Sequence, residues 1–290
     1  MPERPDLAHQ LPLLEAAFTG CRLAGLRATD PVVQRVLLPA PPSTVLPGRV
    51  LTAIRRHGHF LRFVWDGVPP VETAVHLMLA GRFSIVGVEA RCPKDAAFAF
   101  DFEGGRTLLL RDATQMAKVI HLAPEQAATV PGLGPVGVDV LGPDFTVAAL
   151  AALLRRGDQR KTFLLDKAAV DSFGNAYADE ALWAARLHPK ARCRSLGAAE
   201  VERLHAAMVS TLQEATAEVA ARRPALDEKV RDFLHIRNRK GQPCPRCGAP
   251  VRVAGVNGHD AFDCAVCQPD GPVRGRVDWR RLGGGAQSST

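Results

Sequence analysis

Four of the seven cysteines are spaced like the ligands of a metal ion. They form two C-x-x-C pairs with sixteen residues between the pairs, and they are Cys244, Cys247, Cys264 and Cys267. This spacing is typical of a structural zinc site with four thiolate ligands. The alternative is a pair of disulfides, which an intracellular chain rarely forms because its surroundings are reducing. We therefore expect one structural Zn²⁺, and we predict that the other three cysteines are small buried residues.

The composition is that of a globular protein with a mild excess of positive charge. Of the 290 residues, 47% are hydrophobic and 23% are charged, which excludes disordered and fibrous classes. The 37 Lys and Arg against 30 Asp and Glu give a net charge of +7, which suits a polyanionic partner. No apolar run reaches the ~18–20 residues that a membrane span needs, and the start of the chain lacks a secretory signal. We expect a cytoplasmic protein without a membrane segment.

The apolar pattern changes along the chain and predicts an α+β fold of several domains. An opening helical pattern, interrupted by Pro12, leads into short apolar runs separated by turns, which indicate an antiparallel β-sandwich over residues 1–130. After a stretch rich in Pro and Gly, apolar residues at spacings of three and four indicate helices over residues 131–235. The cysteines lie in 236–270, and we predict a disordered tail over 271–290.

Three separate segments resemble one known protein family. They are the start MPERPDL, the run DKAAVDSFGNAYADEALWAARLHP at 166–189, and FLHIRNRKGQPCPRCG followed by CAVCQ. Together they resemble the formamidopyrimidine-DNA glycosylase and endonuclease VIII family, in the order that the family has them. The resemblance implies a helix-two-turn-helix DNA-binding domain for 131–235 and a zinc finger for 236–270. It also implies damaged double-stranded DNA as the partner and a monomeric protein.

The resemblance gives a chemical role to the second and third residues. Removal of Met1 leaves Pro2 with a free secondary amine, and an α-amino group has a pKa of about 7.7–8.0. In the family this amine attacks C1′ of the damaged nucleotide, expels the base and leaves a Schiff base. Glu3 corresponds to the glutamate that acts as general acid and base at the opening sugar.

The resemblance also assigns DNA contacts in the helical part of the chain. Asn175 follows Gly174 at the start of a helix, where backbone N–H groups suit a phosphate. The alternative for Asn175 is an N-cap that satisfies its own helix. Arg156 and Lys161 lie where the family places basic residues near the DNA backbone.

Four positions depart from the family pattern on the surface that contacts DNA. His59 replaces a lysine that contacts phosphate and assists strand cleavage, and His259 replaces an arginine of the zinc-finger hairpin. Leu79 stands in place of an inserted methionine. The loop that carries an Arg and a Phe in the family reads ATQMAK here, so Met116 is either a substitute wedge or a core residue. We expect altered substrate preference, with a bubble or single-stranded DNA as alternatives to duplex.

The leading hypothesis is a bifunctional DNA glycosylase and apurinic/apyrimidinic (AP) lyase of base-excision repair. It removes oxidised or ring-opened bases through the Pro2 amine and then cleaves the strand by β-elimination. The alternative is a recognition protein of the same fold that binds damaged or abasic DNA without catalysis. A weaker alternative places the function in the zinc ribbon as an RNA-binding module.

Overall fold

The structure is a computed structural model, and it describes residues 1–154, 158–171 and 173–269. The predicted DNA contact Arg156 and the predicted tail 271–290 lie outside the described residues. Within the described part of the chain, no helix has both the length and the apolar character needed to cross a bilayer.

Nine strands form two facing sheets in the first part of the chain. The strands are β1 (Leu23–Ala28), β2 (Gln34–Val36), β3 (Leu51–His57), β4 (Phe60–Trp65), β5 (Val71–His76), β6 (Arg82–Gly87), β7 (Ala96–Phe102), β8 (Arg106–Arg111) and β9 (Lys118–Leu122). One sheet has the order β1-β7-β8-β6, and the other has the order β2-β9-β5-β4-β3. Neighbours pair antiparallel, as the sandwich prediction requires, except that β2 pairs parallel with β9.

Large side chains from both sheets fill the space between them. Phe63 of β4 stacks on Phe100 of β7 with ring centroids 5.6 Å apart, and both side chains are fully buried. Buried rings of this size contribute much of the hydrophobic free energy of a sandwich core. A tight turn at residues 103–105 joins β7 to β8, and Gly104 and Gly105 both have positive φ there.

The first helix, α1 (Arg4–Phe18), passes through Pro12 without ending. A proline inside a helix removes one backbone hydrogen bond, so the sequence favours a break at this position. The helix continues because Leu7, Leu14 and Phe18 are buried on one face, where they pack into the sandwich core. The helix lies against β3 on one side and against the longest helix of the second half on the other.

The second half is helical and is followed by a cysteine-bearing hairpin. Its helices are α3 (Val147–Leu153), α4 (Arg160–Leu165), α5 (Asn175–Ala184) and α6 (Ala198–Arg222), while the short α2 (Pro42–Val45) belongs to the first half. The helices share one apolar core, in which Tyr177, Phe163 and Phe173 are almost fully buried. The hairpin pairs β10 (Val251–Val256) with β11 (His259–Cys264), and Trp183 of α5 packs against it.

Candidate active site and metal centre

The carboxylate of Glu3 binds the backbone at the start of α5. Glu3 is only 4% exposed, and its Oε2 accepts hydrogen bonds from the amides of Gly174 at 2.9 Å and Tyr177 at 3.3 Å. Its Oε1 accepts from the amide of Ala176 at 2.9 Å. The first amides of a helix lack partners within the helix and carry the positive end of its dipole, so they favour an anion. These bonds fix the first residues of the chain against the helical half.

Gly174 is required by the close approach of Glu3. A Cβ built on Gly174 would lie 2.3 Å from Cδ of Glu3, which is far inside van der Waals contact. Gly174 is also the N-cap of α5, and Asn175 is the first helical residue. Asn175 is therefore not the N-cap that one interpretation gave it, and the amides that were expected to meet phosphate are occupied by Glu3. The Oδ1 atom of Asn175 is buried without a hydrogen-bond partner.

The amino terminus lies beside the turn that follows β5. The Met1 amine donates a hydrogen bond to the carbonyl oxygen of Leu79 at 3.0 Å, and Nζ of Lys229 donates to the same oxygen at 2.9 Å. Burial, together with the nearby charge of Lys229, lowers the pKa of the Met1 amine to about 5. An amine in this environment is unprotonated at neutral pH. Pro2 is buried next to it.

His59 lies inside the molecule rather than on the DNA-facing surface. It is 7% exposed, and neither ring nitrogen has a hydrogen-bond partner. Burial and the charge of Lys167 hold its pKa well below the usual value, so the ring is neutral near pH 7. His76, whose ring centroid is 6.2 Å away, has its pKa lowered by burial to about 4. The catalytic role of His59 that the resemblance implies stays a prediction.

Lys161 is a buried structural residue, which differs from the exposed phosphate contact that the sequence suggested. Its ammonium is 2.6 Å from Oδ1 of Asp179, and both side chains are fully buried. Arg237 also contacts Asp179, at 2.7 Å. Burial raises the pKa of Asp179 to about 6, against the opposing effect of Lys161. The group joins α4 and α5 to the segment that precedes the hairpin. The Lys161 ammonium also donates to the carbonyl of Asp260, which lies in β11.

The other predicted contacts lie on the surface. Leu79 is 60% exposed and Met116 is 42% exposed, so the core interpretation of Met116 is wrong. Asp112 holds the Met116 turn by accepting from the amides of Met116 and Ala117 at 2.8 and 2.7 Å. His259 is exposed at the tip of the β10–β11 hairpin.

The four cysteine sulfurs converge on one point. All four lie within 4.8 Å of one another, with Cys244 and Cys267 3.9 Å apart and Cys247 and Cys264 3.4 Å apart. A tetrahedral ion with Zn–S bonds of about 2.3 Å separates its sulfur ligands by ~3.8 Å, so the cluster fits a metal ion of this size. The indole N–H of Trp183 points to Sγ of Cys244 at 3.4 Å. The cluster therefore links the hairpin to α5.

Comparison with known proteins places the chain in one family. Residues 1–119 match the Formamidopyrimidine-DNA glycosylase N-terminal domain, and residues 136–222 match the Formamidopyrimidine-DNA glycosylase H2TH domain. The chain is 32% identical to Formamidopyrimidine-DNA glycosylase from Symbiobacterium thermophilum over 278 residues, which cover 93% of this chain and 90% of the relative. The chain belongs to the formamidopyrimidine-DNA glycosylase family. The enzyme of that name from Chloroflexus aurantiacus is 31% identical, with 92% and 98% covered.

Solved structures of the family share this fold. The Fpg protein of Thermus thermophilus is 29% identical, with a TM-score of 0.79 over 93% of this chain and 100% of that one. Lactococcus lactis Fpg bound to DNA that contains N7-benzyl-Fapy-dG is 25% identical, with a TM-score of 0.83 over 92% and 100%. As a member of the formamidopyrimidine-DNA glycosylase family, the chain is a DNA glycosylase with AP lyase activity, an enzyme of base-excision repair.

Sequence reasoning missed a network that joins the two halves beside Glu3. Arg4 of α1 and Arg56 of β3 both contact Asp139, at 2.7 and 3.3 Å, and Arg56 also contacts Asp171 at 2.8 Å. It also missed Lys167, whose ammonium is buried in the same region without a hydrogen-bond partner. No local pattern marks these residues, because their partners are distant in sequence. The available signal is their position, since Arg4, Lys167 and Asp171 lie inside the segments that carry the family resemblance.

Proposed function

We propose that the enzyme removes oxidised or ring-opened bases through the amine of Pro2, with Glu3 as the acid and base beside it. The observation that carries the proposal is the binding of the Glu3 carboxylate by the amides of Gly174, Ala176 and Tyr177. These bonds hold residues 1–3 at the junction of the sandwich and the helical half. A nucleophile and a carboxylate are thereby fixed together where both DNA-binding halves meet.

The reaction follows from amine chemistry. Once Met1 is removed, the lone pair of the Pro2 nitrogen attacks C1′, the glycosidic bond breaks and the base leaves with a proton. Opening of the sugar gives a Schiff base between Pro2 and C1′. Removal of a proton from C2′ then expels the 3′ phosphate and cleaves the strand. An α-amino group has a pKa of about 7.7–8.0, so part of the Pro2 amine is unprotonated and nucleophilic at neutral pH.

We infer that Leu79 and Met116 contact the bases around the lesion. Leu79 supports this role because its side chain is exposed while its carbonyl receives the terminal amine. Apolar side chains that insert between base steps offset part of the cost of extruding a nucleotide. We propose that His259, which is exposed on the hairpin, and Asn175, which is half-buried at the start of α5, contact phosphate.

The four cysteines are proposed to bind one Zn²⁺ as a structural ion. Four thiolates complete a tetrahedral site, so no position remains for a water molecule and the ion has no part in catalysis. Its role is to hold the β10–β11 hairpin in place. We also propose that the enzyme is a cytoplasmic monomer associated with chromosomal DNA, and that its domains are divided near residues 130 and 235.

Borohydride trapping on a duplex with one abasic site tests the proposed nucleophile. Wild-type protein should form a covalent adduct with the DNA, because borohydride reduces the Schiff base to a stable amine. A variant with one extra residue before Pro2 should lose the adduct while still binding DNA, because the Pro2 nitrogen is then part of an amide bond and is no longer nucleophilic. If the extended variant forms the adduct at the wild-type rate, the nucleophile is another amine. Salt-sensitive binding without any adduct would favour the non-catalytic recognition protein.

A further inference from the structure

Unpartnered polar atoms concentrate around Glu3. Among the described residues, ten buried side-chain N or O atoms have no hydrogen-bond partner, and five of them belong to four residues in this region. These residues are His59, Lys167, Asp171 and Asn175. A buried polar atom without a partner costs ~1–3 kcal/mol, so such atoms are uncommon in a stable core. Their accumulation beside the Pro2–Glu3 segment indicates a functional requirement at this place.

Lys167 is the only ammonium in that group of four residues, and it lies at the interface of the two halves. It lines a cavity of about 390 Å³ with residues 128–132 and 134–136 of the connection between the sandwich and the helices. Its backbone carbonyl accepts a hydrogen bond from Gly137 at 2.7 Å, which fixes the residue against that connection. The turn between β3 and β4 borders the same place, because a Cβ on Gly58 would lie 3.5 Å from Oδ1 of Asp171 and 3.9 Å from the carbonyl of Gly132.

Among the carboxylates near Lys167, Glu3 interacts most strongly with its ammonium. Three carboxylates, Glu3, Asp171 and Asp166, act on the ammonium, and Glu3 has the largest effect. Asp171 is already paired with Arg56, and Asp166 accepts the amide of Ala168 in its own turn. His59, which also faces Lys167, is neutral and adds no charge. Burial outweighs the attraction of the three carboxylates and lowers the pKa of Lys167 to about 8.

We propose that Lys167 is a positioning residue for the strand-cleavage reaction, acting through its positive charge on the carboxylate of Glu3. This inference rests on the proposed function, because it gives Glu3 the acid and base role. The protonated ammonium stabilises the negative charge that Glu3 carries after it has given its proton to the opening sugar. When Lys167 loses its own proton, that stabilisation is lost and the reaction slows. Strand cleavage therefore has a basic limit in pH that belongs to Lys167 rather than to Pro2.

The test compares Lys167→Met and Lys167→Arg with the wild type, and uses Lys190→Met as a matched control at an exposed lysine. The single-turnover rate of cleavage of an abasic duplex is measured from about pH 5.5 to about pH 10, with DNA affinity measured in parallel. We expect the wild-type rate to fall above about pH 8. Lys167→Arg should keep the rate and lose this fall, since a guanidinium stays charged. Lys167→Met should lower the rate by about 100-fold with DNA affinity changed less than about threefold.

The proposal is overturned if Lys167→Met keeps both the wild-type rate and the fall above pH 8, or if Lys167→Arg keeps that fall. Should Lys167→Met fail to fold, as judged by its circular dichroism, the pH profile of Lys167→Arg decides alone. Failure of the proposed function is a separate outcome. In that case the wild type itself forms no borohydride adduct, whatever residue stands at 167.

Discussion

At the start of α5, the carboxylate of Glu3 takes the place of an N-cap side chain. The N-cap residue is Gly174, which has no side chain to offer, and the acceptors for the first amides come from a residue 171 positions earlier. An N-cap side chain contributes about 1 kcal/mol to stability. The same contacts hold the second and third residues at the junction of the two halves. Stability and, in the proposed mechanism, catalysis therefore depend on one carboxylate.

Substitution of Gly174 by Ala tests this dependence. The new Cβ would overlap Glu3, so the carboxylate must leave the helix amides. We expect a loss of about 1–3 kcal/mol in the free energy of unfolding and a strong loss of abasic-site cleavage. Gly197→Ala is the matched control, because Gly197 is the N-cap of α6 and its Cβ would meet nothing closer than 4.0 Å. Wild-type stability and cleavage in Gly174→Ala would contradict the argument.

His121 makes stability depend on pH. The residue is fully buried, and burial lowers its pKa from 6.5 to about 4. Between these values the unfolded chain takes up a proton that the folded chain does not, so stability is complete above pH 6.5 and falls as the pH decreases. At about 1.4 kcal/mol per pH unit, His121 should cost about 2 kcal/mol between pH 6.5 and 5.

Urea unfolding at about pH 7.5 and about pH 5 measures this effect. His121→Gln retains a side-chain partner for Thr73 and removes the titrating ring. The wild type should therefore lose about 2 kcal/mol more than the variant between the two conditions. Equal losses would show that other groups cause the dependence. The comparison is needed because the raised pKa values of His235 and Asp179 act in the opposite direction.

At the scale of single residues, the sequence predicted the chemical roles of side chains better than their burial and their contacts. It assigned chemistry to Glu3 and proposed exposed positions for Leu79 and His259, but it could not see that Lys161 is buried against Asp179. A lysine that follows several arginines in the sequence resembles a surface charge in any local window. Its burial depends on a carboxylate 18 residues later and on a carbonyl at Asp260. Only the folded arrangement brings these groups together.

At the scale of elements, the hairpin β10–β11 depends on the cysteine cluster. The hairpin has two strands of six residues, and an isolated two-stranded hairpin is marginally stable in water. Its apolar contacts are shared with Trp183 and Ile236, and the indole N–H points to Cys244. The spacing of the four cysteines predicted the cluster, because each C-x-x-C turn places two thiolates close enough to bind one ion. The continuation of α1 through Pro12 was not predicted, because it depends on burial against β3 and α6.

Loss of one cysteine should therefore release the metal and the hairpin together. We expect about one zinc per chain in the wild type and much less in Cys264→Ser, with weaker DNA binding. Circular dichroism should retain the β-sandwich signal, because the sandwich core shares no residue with the cluster. Cys92→Ser is the control, because Cys92 lies outside the cluster and is exposed. The prediction that Cys92 is a buried residue was therefore wrong. Full zinc content in Cys264→Ser would exclude the four-thiolate site.

At the scale of the whole molecule, the sequence predicted the order of the sandwich, the helices and the hairpin, but not the contacts between them. Apolar residues recur every second position in a strand and every third or fourth position in a helix. Because this spacing depends on local burial, it predicted both the sandwich and the helices. The parallel pairing of β2 with β9 was missed, since β2 has only three residues and little pattern. The contacts between halves, from α1 to α6 and from Arg56 to Asp171, join residues far apart in the chain.

The ion pair of Arg56 and Asp171 should couple the two halves energetically. Arg56 lies on β3 and Asp171 precedes α5, and their side chains are 17% and 5% exposed. A double-mutant cycle with Arg56→Met and Asp171→Asn, followed by urea unfolding, should give a coupling energy of about 1–3 kcal/mol. The exposed pair Arg222 and Glu218, one turn apart on α6, is the control and should give a much smaller coupling energy, because solvent screens exposed charges. Equal coupling in the two cycles would mean that the pair does not hold the halves together. The orientation of the Pro2–Glu3 segment would then depend on its other contacts, which are those of Glu3 with the α5 amides and that of Arg4 with Asp139.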